Sequence, residues 1–342
     1  MLRIIAAPLF EGRPEITITR DIVKYAMDNN IPYSYISDGV YPVPQVGAVY
    51  NDEVLARYYL KVTQTVIDQI KDGDILFWCD LWNPALTSLF HYCTSKHIKV
   101  KNYGIWHSSP ITAGDYLYGS DWAVDFQTHL LKYVDGLVVA TNYMKDMCIT
   151  PELVGDKSIA DKIKVTGLPL DLSVIKNHPN KQNTIVFCHR WADDKRPDSF
   201  VKQAKRYKEM GSDLKFIVFS PNKNIRDSVT KTCLDNGVDP NLIECVPTKD
   251  KADYYDKLGY VKYIWADSVL ETFGYSILEG YLSGAIPVLN DMPCYKELYP
   301  LNCYSNNEEL DKIISTEFRG DYPMANIVST CVANMYKFMG IV

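Results

Sequence analysis

The stretch Trp265-Ala266-Asp267-Ser268-Val269-Leu270-Glu271-Thr272-Phe273-Gly274-Tyr275-Ser276-Ile277-Leu278-Glu279-Gly280-Tyr281-Leu282-Ser283-Gly284-Ala285-Ile286-Pro287-Val288 decides the fold class. The apolar run 263–266 has strand length, and so does 286–289. Between them, 274–283 reads as a helix that stops at Gly284. Strand, crossover helix and strand in so short a span form the unit of a parallel sheet. The alternation continues on the N-terminal side. Strands are expected at 2–6, 33–36, 75–79, 100–106, 136–140 and 163–166, then at 184–188, 216–219 and 242–246, with helical segments between them. The polar stretch 171–182, with His178-Pro179-Asn180, reads as a linker. A last helix at about 324–339 has no strand after it. The expectation is an α/β chain of two doubly wound domains, 1–175 and 176–322, followed by a terminal helical piece, 323–342. Ligands in such sheets bind outside the carboxyl ends of the strands, and two such domains facing each other would make a cleft.

Composition narrows the class. A chain of 342 residues is long enough for two hydrophobic cores. With 47% hydrophobic and 23% charged residues, it is neither disordered nor fibrous. A net charge of -6 argues against coating nucleic acid by bulk attraction. The nine cysteines, Cys79, Cys93, Cys148, Cys188, Cys233, Cys245, Cys294, Cys303 and Cys331, are scattered and show no metal-ligand spacing. An odd, unclustered set reads as reduced thiols in a cytoplasmic protein. The first apolar run, 1–7, ends at Pro8 and is too short for a signal peptide or a membrane span. No other segment approaches span length, so no transmembrane segment is expected.

The chemistry concentrates around the start of the 274–283 helix. Its first turn leaves backbone N–H groups unpaired, and its dipole favours an anion. Gly274 allows close approach of a ligand to the backbone. Glu271 precedes the helix and Glu279 lies about one and a half turns into it. Two carboxylates flanking an anion-friendly helix start suit a ligand with a phosphate centre and hydroxyls at both ends, such as a nucleotide sugar.

Glu271 and Glu279, with Phe273-Gly274 between them and Gly284-Ala285-Ile286-Pro287-Val288 after, resemble the E-x7-E signature of retaining GT-B glycosyltransferases, family four and its relatives. The resemblance implies that Glu271 contacts the donor sugar and Glu279 the ribose, with Phe273, Gly274 and Tyr275 lining the donor site. A second match follows strand 184–188: His189-Arg190-Trp191-Ala192-Asp193-Asp194-Lys195-Arg196-Pro197. The family pattern is Gly-Arg, four residues, then Lys-Gly, with Arg and Lys on the diphosphate. Arg190 and Lys195 keep that spacing, whereas His189 and Arg196 stand where the glycines would be. Arg196 is a candidate for an added phosphate contact. Cations there stabilise charge that builds on the leaving diphosphate, so they raise rate as well as affinity.

The N-terminal half matches more loosely. The turn Phe10-Glu11-Gly12-Arg13-Pro14 stands where the family has a Gly-rich turn, which makes Gly12, and less firmly Arg13, phosphate-side candidates. His107 ends strand 100–106, where the family often places a His near the sugar. Asp115 and Asp121 in the following loop are acceptor-site candidates, and Gly167-Leu168-Pro169-Leu170-Asp171 partly matches the family's Asn-Gly-Val-Asp turn. The resemblance implies a GT-B pair of Rossmann-like domains, acceptor on the first and donor on the second, with the last helix crossing back to the first. The donor would be a UDP- or GDP-sugar, with no cofactor and no metal required. Asp72-Gly73-Asp74 has the metal-motif spacing of the other main glycosyltransferase fold, but its place before a strand reads as a turn.

The acceptor stays open among a small molecule, a glycan and DNA. A soluble or polymeric hydroxyl acceptor is the main expectation. The sharp alternative is a hydroxymethylated pyrimidine in DNA, as for phage GT-B enzymes, which would need a pocket for a flipped base. A sugar-nucleotide epimerase, a phosphorylase and a non-catalytic nucleotide-sugar binding module are the remaining rivals. Oligomeric state is not readable.

Overall fold

Short apolar runs form the strands, and the sequence order of those runs sets the sheets. The computed structural model describes residues 1–10, 14–41, 52–115, 117–220 and 223–342. The first eight strands are β1 (Leu2–Ile5), β2 (Leu9–Phe10), β3 (Tyr33–Ile36), β4 (Val40–Tyr41), β5 (Ile75–Trp78), β6 (Lys101–Ile105), β7 (Gly136–Val139) and β8 (Ile163–Val165). Six of them form one parallel sheet in the order β3-β1-β5-β6-β7-β8, and β2 pairs with β4 as a separate two-residue ribbon. Strand β1 lies at the sheet's switch point, with β3 on one side and β5 on the other.

The remaining strands are β9 (Gln182–Phe187), β10 (Lys215–Ser220), β11 (Ile243–Pro247), β12 (Val261–Ala266), β13 (Ile286–Asn290) and β14 (Cys303–Tyr304). They form a second parallel sheet in the order β11-β10-β9-β12-β13-β14. The chain winds outward from β9 to β11, then returns to place β12 on the other side of β9. That reversal puts the loops after β9 and β12 side by side, which is where doubly wound sheets bind ligands. The inner strands are apolar on both faces, as sheets covered by helices require. Phe187, Phe200, Phe216, Trp265 and Val288 pack into one core behind this reversal.

The chain divides into two compact units, 1–170 with 326–342, and 171–325. The last helix, Met324–Phe338, therefore belongs mostly with the first unit. There the Tyr336 hydroxyl donates to the Ile22 carbonyl at 2.9 Å, Tyr336 lies against Tyr25, and Phe338 meets the Tyr103 ring edge-on.

Two readings from sequence take a different form in the structure. The 171–182 stretch, expected as a linker, is folded onto the second unit. The His178 ring stacks on Tyr260 at 3.9 Å, and Lys181 donates to the carbonyls of Gly259 and Ser283. Its polar side chains satisfy backbone groups there. Three short helices, Lys157–Lys162, Pro293–Leu298 and Asn307–Thr316, were not expected, because so few residues give little periodic signal. Asp72-Gly73-Asp74 is a turn: Asp72 accepts the Lys99 N–H at 2.7 Å, and Asp74 accepts Arg3 Nε at 2.6 Å and the Lys71 N–H at 2.9 Å.

Gly167 sits in the turn after β8 with φ +74, and a Cβ there would stand 2.4 Å from Ile327 Cγ2 of the last helix. Gly167→Ala is expected to lower unfolding free energy by about 1–3 kcal/mol, from left-handed strain plus the clash. Urea denaturation monitored by circular dichroism checks this. An unchanged midpoint would show that the last helix is not held at this turn.

Candidate active site

Hydrogen bonds join the loops after β9 and β12. The Val269 N–H donates to the Asp194 carbonyl at 2.8 Å. Lys195 Nζ donates to the Leu270 carbonyl at 2.8 Å and to Glu271 Oε2 at 3.1 Å. Residues 75 or so apart in sequence thus form one surface, and the structure brings Lys195 of one motif onto Glu271 of the other.

Charges alternate along this surface. Arg190 Nη2 donates to Asp194 Oδ2 at 2.8 Å, the same oxygen lies 3.5 Å from Lys195 Nζ, and Lys195 continues to Glu271. Arg190 is 35% exposed while Lys195 is 12% exposed. Arg190 keeps several guanidinium N–H donors for a partner, and the Lys195 ammonium has one N–H beyond its two hydrogen bonds. Burial alone would raise the Glu271 carboxyl, but Lys195, with help from the Thr272 N–H, holds it below the usual carboxylate range.

The glycines missing from the basic loop leave clear traces. Arg196 has φ +49, the left-handed region that glycine enters at no cost. It opens the Pro197–Glu209 helix without a side-chain cap and reaches Asp267 at 3.5 Å. His189 turns inward: Nδ1 meets Ser276 Oγ at 2.9 Å, and Nε2 is enclosed with no partner among the described residues. Burial, reinforced by Lys195, pulls the His189 pKa down to about 3, so the ring is neutral and adds no cation.

Gly274 has φ +74 directly before the Tyr275–Leu282 helix, and no side chain caps that helix. A Cβ at Gly274 would lie 3.2 Å from Tyr295 Cε1 and 3.4 Å from Glu271 Cγ. The position thus requires glycine for its backbone and has little room beside Glu271. Phe273 is buried in the core and Tyr275 is half-buried with its ring edge-on to Phe273, so Phe273 can face a ligand only through its backbone. Glu279 is buried, and its carboxylate accepts the Tyr255 hydroxyl at 2.6 Å and the Tyr254 hydroxyl at 3.0 Å.

In the first unit, His107 follows β6 and its Nε2 bonds the Cys79 carbonyl at 2.9 Å. Beside it is Asp80, which follows β5 and was missed in the sequence. Burial, with Glu15 adding to it, pushes the Asp80 carboxyl up to about 6 against the opposing pull of His107 and the Trp82 N–H. Its signal was positional: like His107, it stands just past a strand's carboxyl end. Asp115 accepts the Ser108 hydroxyl and the Leu117 N–H, so it shapes its own loop. Asp121 is exposed at the start of the Asp121–Tyr133 helix. Gly12 and Arg13 lie outside the described residues. Among the described residues, no three His, Cys, Asp or Glu side chains gather as a metal site.

No protein-family model matches the chain. Solved structures do. The lipopolysaccharide outer core galactosyltransferase WaaB in its apo form matches with a TM-score of 0.63 at 13% identity, over 99% of each chain. A putative UDP-N-acetylglucosamine 2-epimerase from Listeria monocytogenes matches with a TM-score of 0.60 at 12% identity, over 100% of this chain and 97% of the other. A mutant of S. aureus TarM, in complex with fondaparinux, alpha-GlcNAc-glycerol and UDP, matches with a TM-score of 0.52 at 16% identity. That match takes in 85% of this chain but only 57% of TarM. The architecture is GT-B: two Rossmann-like sheets with helices. At these identities the likeness speaks for the fold, and any activity must be argued from the site.

The Lys195–Glu271 pair gives a pH signature. Glu271 has a depressed folded-state pKa, so its stabilisation is present above the unfolded value of about 4.3 and is lost as pH falls through the folded value. Lys195→Ala is expected to cost about 2 kcal/mol at pH 7, because it leaves a largely buried carboxylate without its cation. The deficit should shrink below about pH 4, where Glu271 takes up a proton. Urea unfolding of both proteins across that range measures it. A deficit independent of pH would show that the pair contributes nothing beyond the Leu270 bond.

Proposed function

We propose that the chain is a glycosyltransferase that moves a sugar from a nucleotide-diphosphate sugar to a hydroxyl acceptor, with retention at the anomeric carbon. One observation carries the reading: the Arg190–Lys195 loop and the Glu271–Gly274 helix start meet at the point where the second sheet reverses. Cations, an uncapped helix start and a carboxylate converge there, as a diphosphate joined to a sugar requires.

In this reading the diphosphate lies on the first turn of the Tyr275–Leu282 helix and takes Arg190 and the remaining Lys195 donor. The bond from the anomeric carbon to the phosphate oxygen breaks, and a bond to the acceptor oxygen forms on the same face. The acceptor proton passes to the departing phosphate, so no separate base is needed. Arg190, Lys195 and the helix start balance the charge that develops, in the role a metal would otherwise fill. Glu271 faces the sugar and Glu279 the ribose. Tyr275 and the Phe273 and Gly274 backbone line the donor, which is UDP- or GDP-linked. The UDP in the TarM complex and the galactosyltransferase activity named for WaaB support this choice of ligand and reaction.

The acceptor is assigned to the first unit, where His107 and Asp80 stand just past strand ends. A soluble or polymeric acceptor is favoured over DNA because the net charge of -6 opposes a polyanion. No helix among the described residues is long and apolar enough to cross a membrane. The unpaired cysteines accord with a cytoplasmic site of action. Epimerisation stays as a second reading because a putative epimerase shares the fold.

Release of free nucleoside diphosphate from a panel of UDP- and GDP-sugars, with and without glycan, small-molecule and hydroxymethylated-DNA acceptors, tests the proposal. Acceptor-dependent release is expected, with kcat/KM about 100-fold lower in Arg190→Ala. Acceptor-independent conversion of the sugar would establish the epimerase reading, and binding without any turnover would establish a silent module.

A further inference from the structure

Glu279 is buried, its side chain 8% exposed, in a helix whose first turn is the proposed phosphate site. A second helix, Lys251–Leu258, delivers two neighbouring tyrosine hydroxyls to it, one to each oxygen: Tyr255 to Oε1 at 2.6 Å and Tyr254 to Oε2 at 3.0 Å. Both tyrosines are held in turn. The Tyr254 ring stands edge-on to Phe219 at 5.4 Å and to Tyr255 at 5.2 Å. Lys251 is exposed, with its ammonium 3.5 Å from Oε1 and over both rings. A carboxylate accepts about four hydrogen bonds. Two donors from one helix, on opposite oxygens, fix its plane and leave about two acceptor sites in a set direction.

We propose that Tyr254 and Tyr255 are positioning residues that aim the remaining acceptor sites of Glu279 at a vicinal diol, so that the donor site selects ribonucleotides over 2′-deoxyribonucleotides. This rests on the donor-site reading above. Vicinal hydroxyls are what two adjacent carboxylate acceptors match. A ligand lacking one hydroxyl leaves a buried acceptor unpaired, which is the source of strong discrimination. The tyrosines raise that discrimination without touching the ligand, because a carboxylate free to rotate would re-aim at the single hydroxyl that remains.

The test is calorimetric titration of UDP, GDP and their 2′-deoxy forms into the full chain and into Tyr255→Phe and Tyr254→Phe. The unmodified chain is expected to prefer the ribonucleotide by more than tenfold. Tyr255→Phe should reduce that preference about tenfold while binding of the deoxynucleotide changes little. If Tyr255→Phe fails to fold, the half-buried Tyr254 carries the same comparison. An equal loss for ribo and deoxy forms would overturn the proposal and make the tyrosines mere partners of a buried carboxylate. Absence of preference in the unmodified chain would also overturn it. No binding of any of the four nucleotides would instead overturn the donor-site reading itself.

Discussion

The Lys195 ammonium is the contact on which the candidate site depends. It bonds the Leu270 carbonyl and the Glu271 carboxylate and so ties the loop after β9 to the loop after β12. Without it, Glu271 would be a largely enclosed carboxylate with no cation, and the approach to the Tyr275–Leu282 helix would lose its anchor. Sheet topology makes the contact possible, because β9 and β12 are neighbours only after the chain reverses. Fold and site are therefore linked through Lys195, beside the Val269–Asp194 backbone bond and the Arg196–Asp267 pair.

The charge pattern around that contact has a chemical consequence. Arg190, Asp194, Lys195 and Glu271 alternate in sign, so the surface is locally balanced before any anion arrives. His189 stays neutral through burial and does not tip the balance. A diphosphate entering such a site adds to cations already fixed in place, which keeps reorganisation small. Lys195 is the more enclosed of the two cations and Arg190, at 35% exposure, the more accessible.

Much of this was readable from sequence because it rests on periodicity and spacing. Strands 33–36, 136–140 and 263–266 were visible as short apolar runs, and the observed strands agree within a few residues at each end. The spacing of Arg190, Lys195, Glu271 and Glu279 was visible too, since loops at strand ends carry polar residues that interrupt apolar runs. What stayed hidden depends on distant pairing. Nothing local marks Tyr254 and Tyr255 as partners of Glu279, about 25 residues further on, and nothing marks His189 as the partner of Ser276. Asp80 carried only the positional signal of a strand end, and its enclosure beside Glu15 and His107 had to be seen. The left-handed Arg196 was foreshadowed by the glycine that the resemblance expects there, but its conformation had to be seen.

The most direct test of the central claim is a crystal structure of the chain with the nucleoside diphosphate that binds it best. The account predicts the diphosphate on the first turn of the Tyr275–Leu282 helix, within hydrogen-bond reach of Lys195 and Arg190, with the ribose on Glu279. A nucleotide bound elsewhere, with the Lys195, Glu271 and Arg190 contacts facing no ligand, would contradict it.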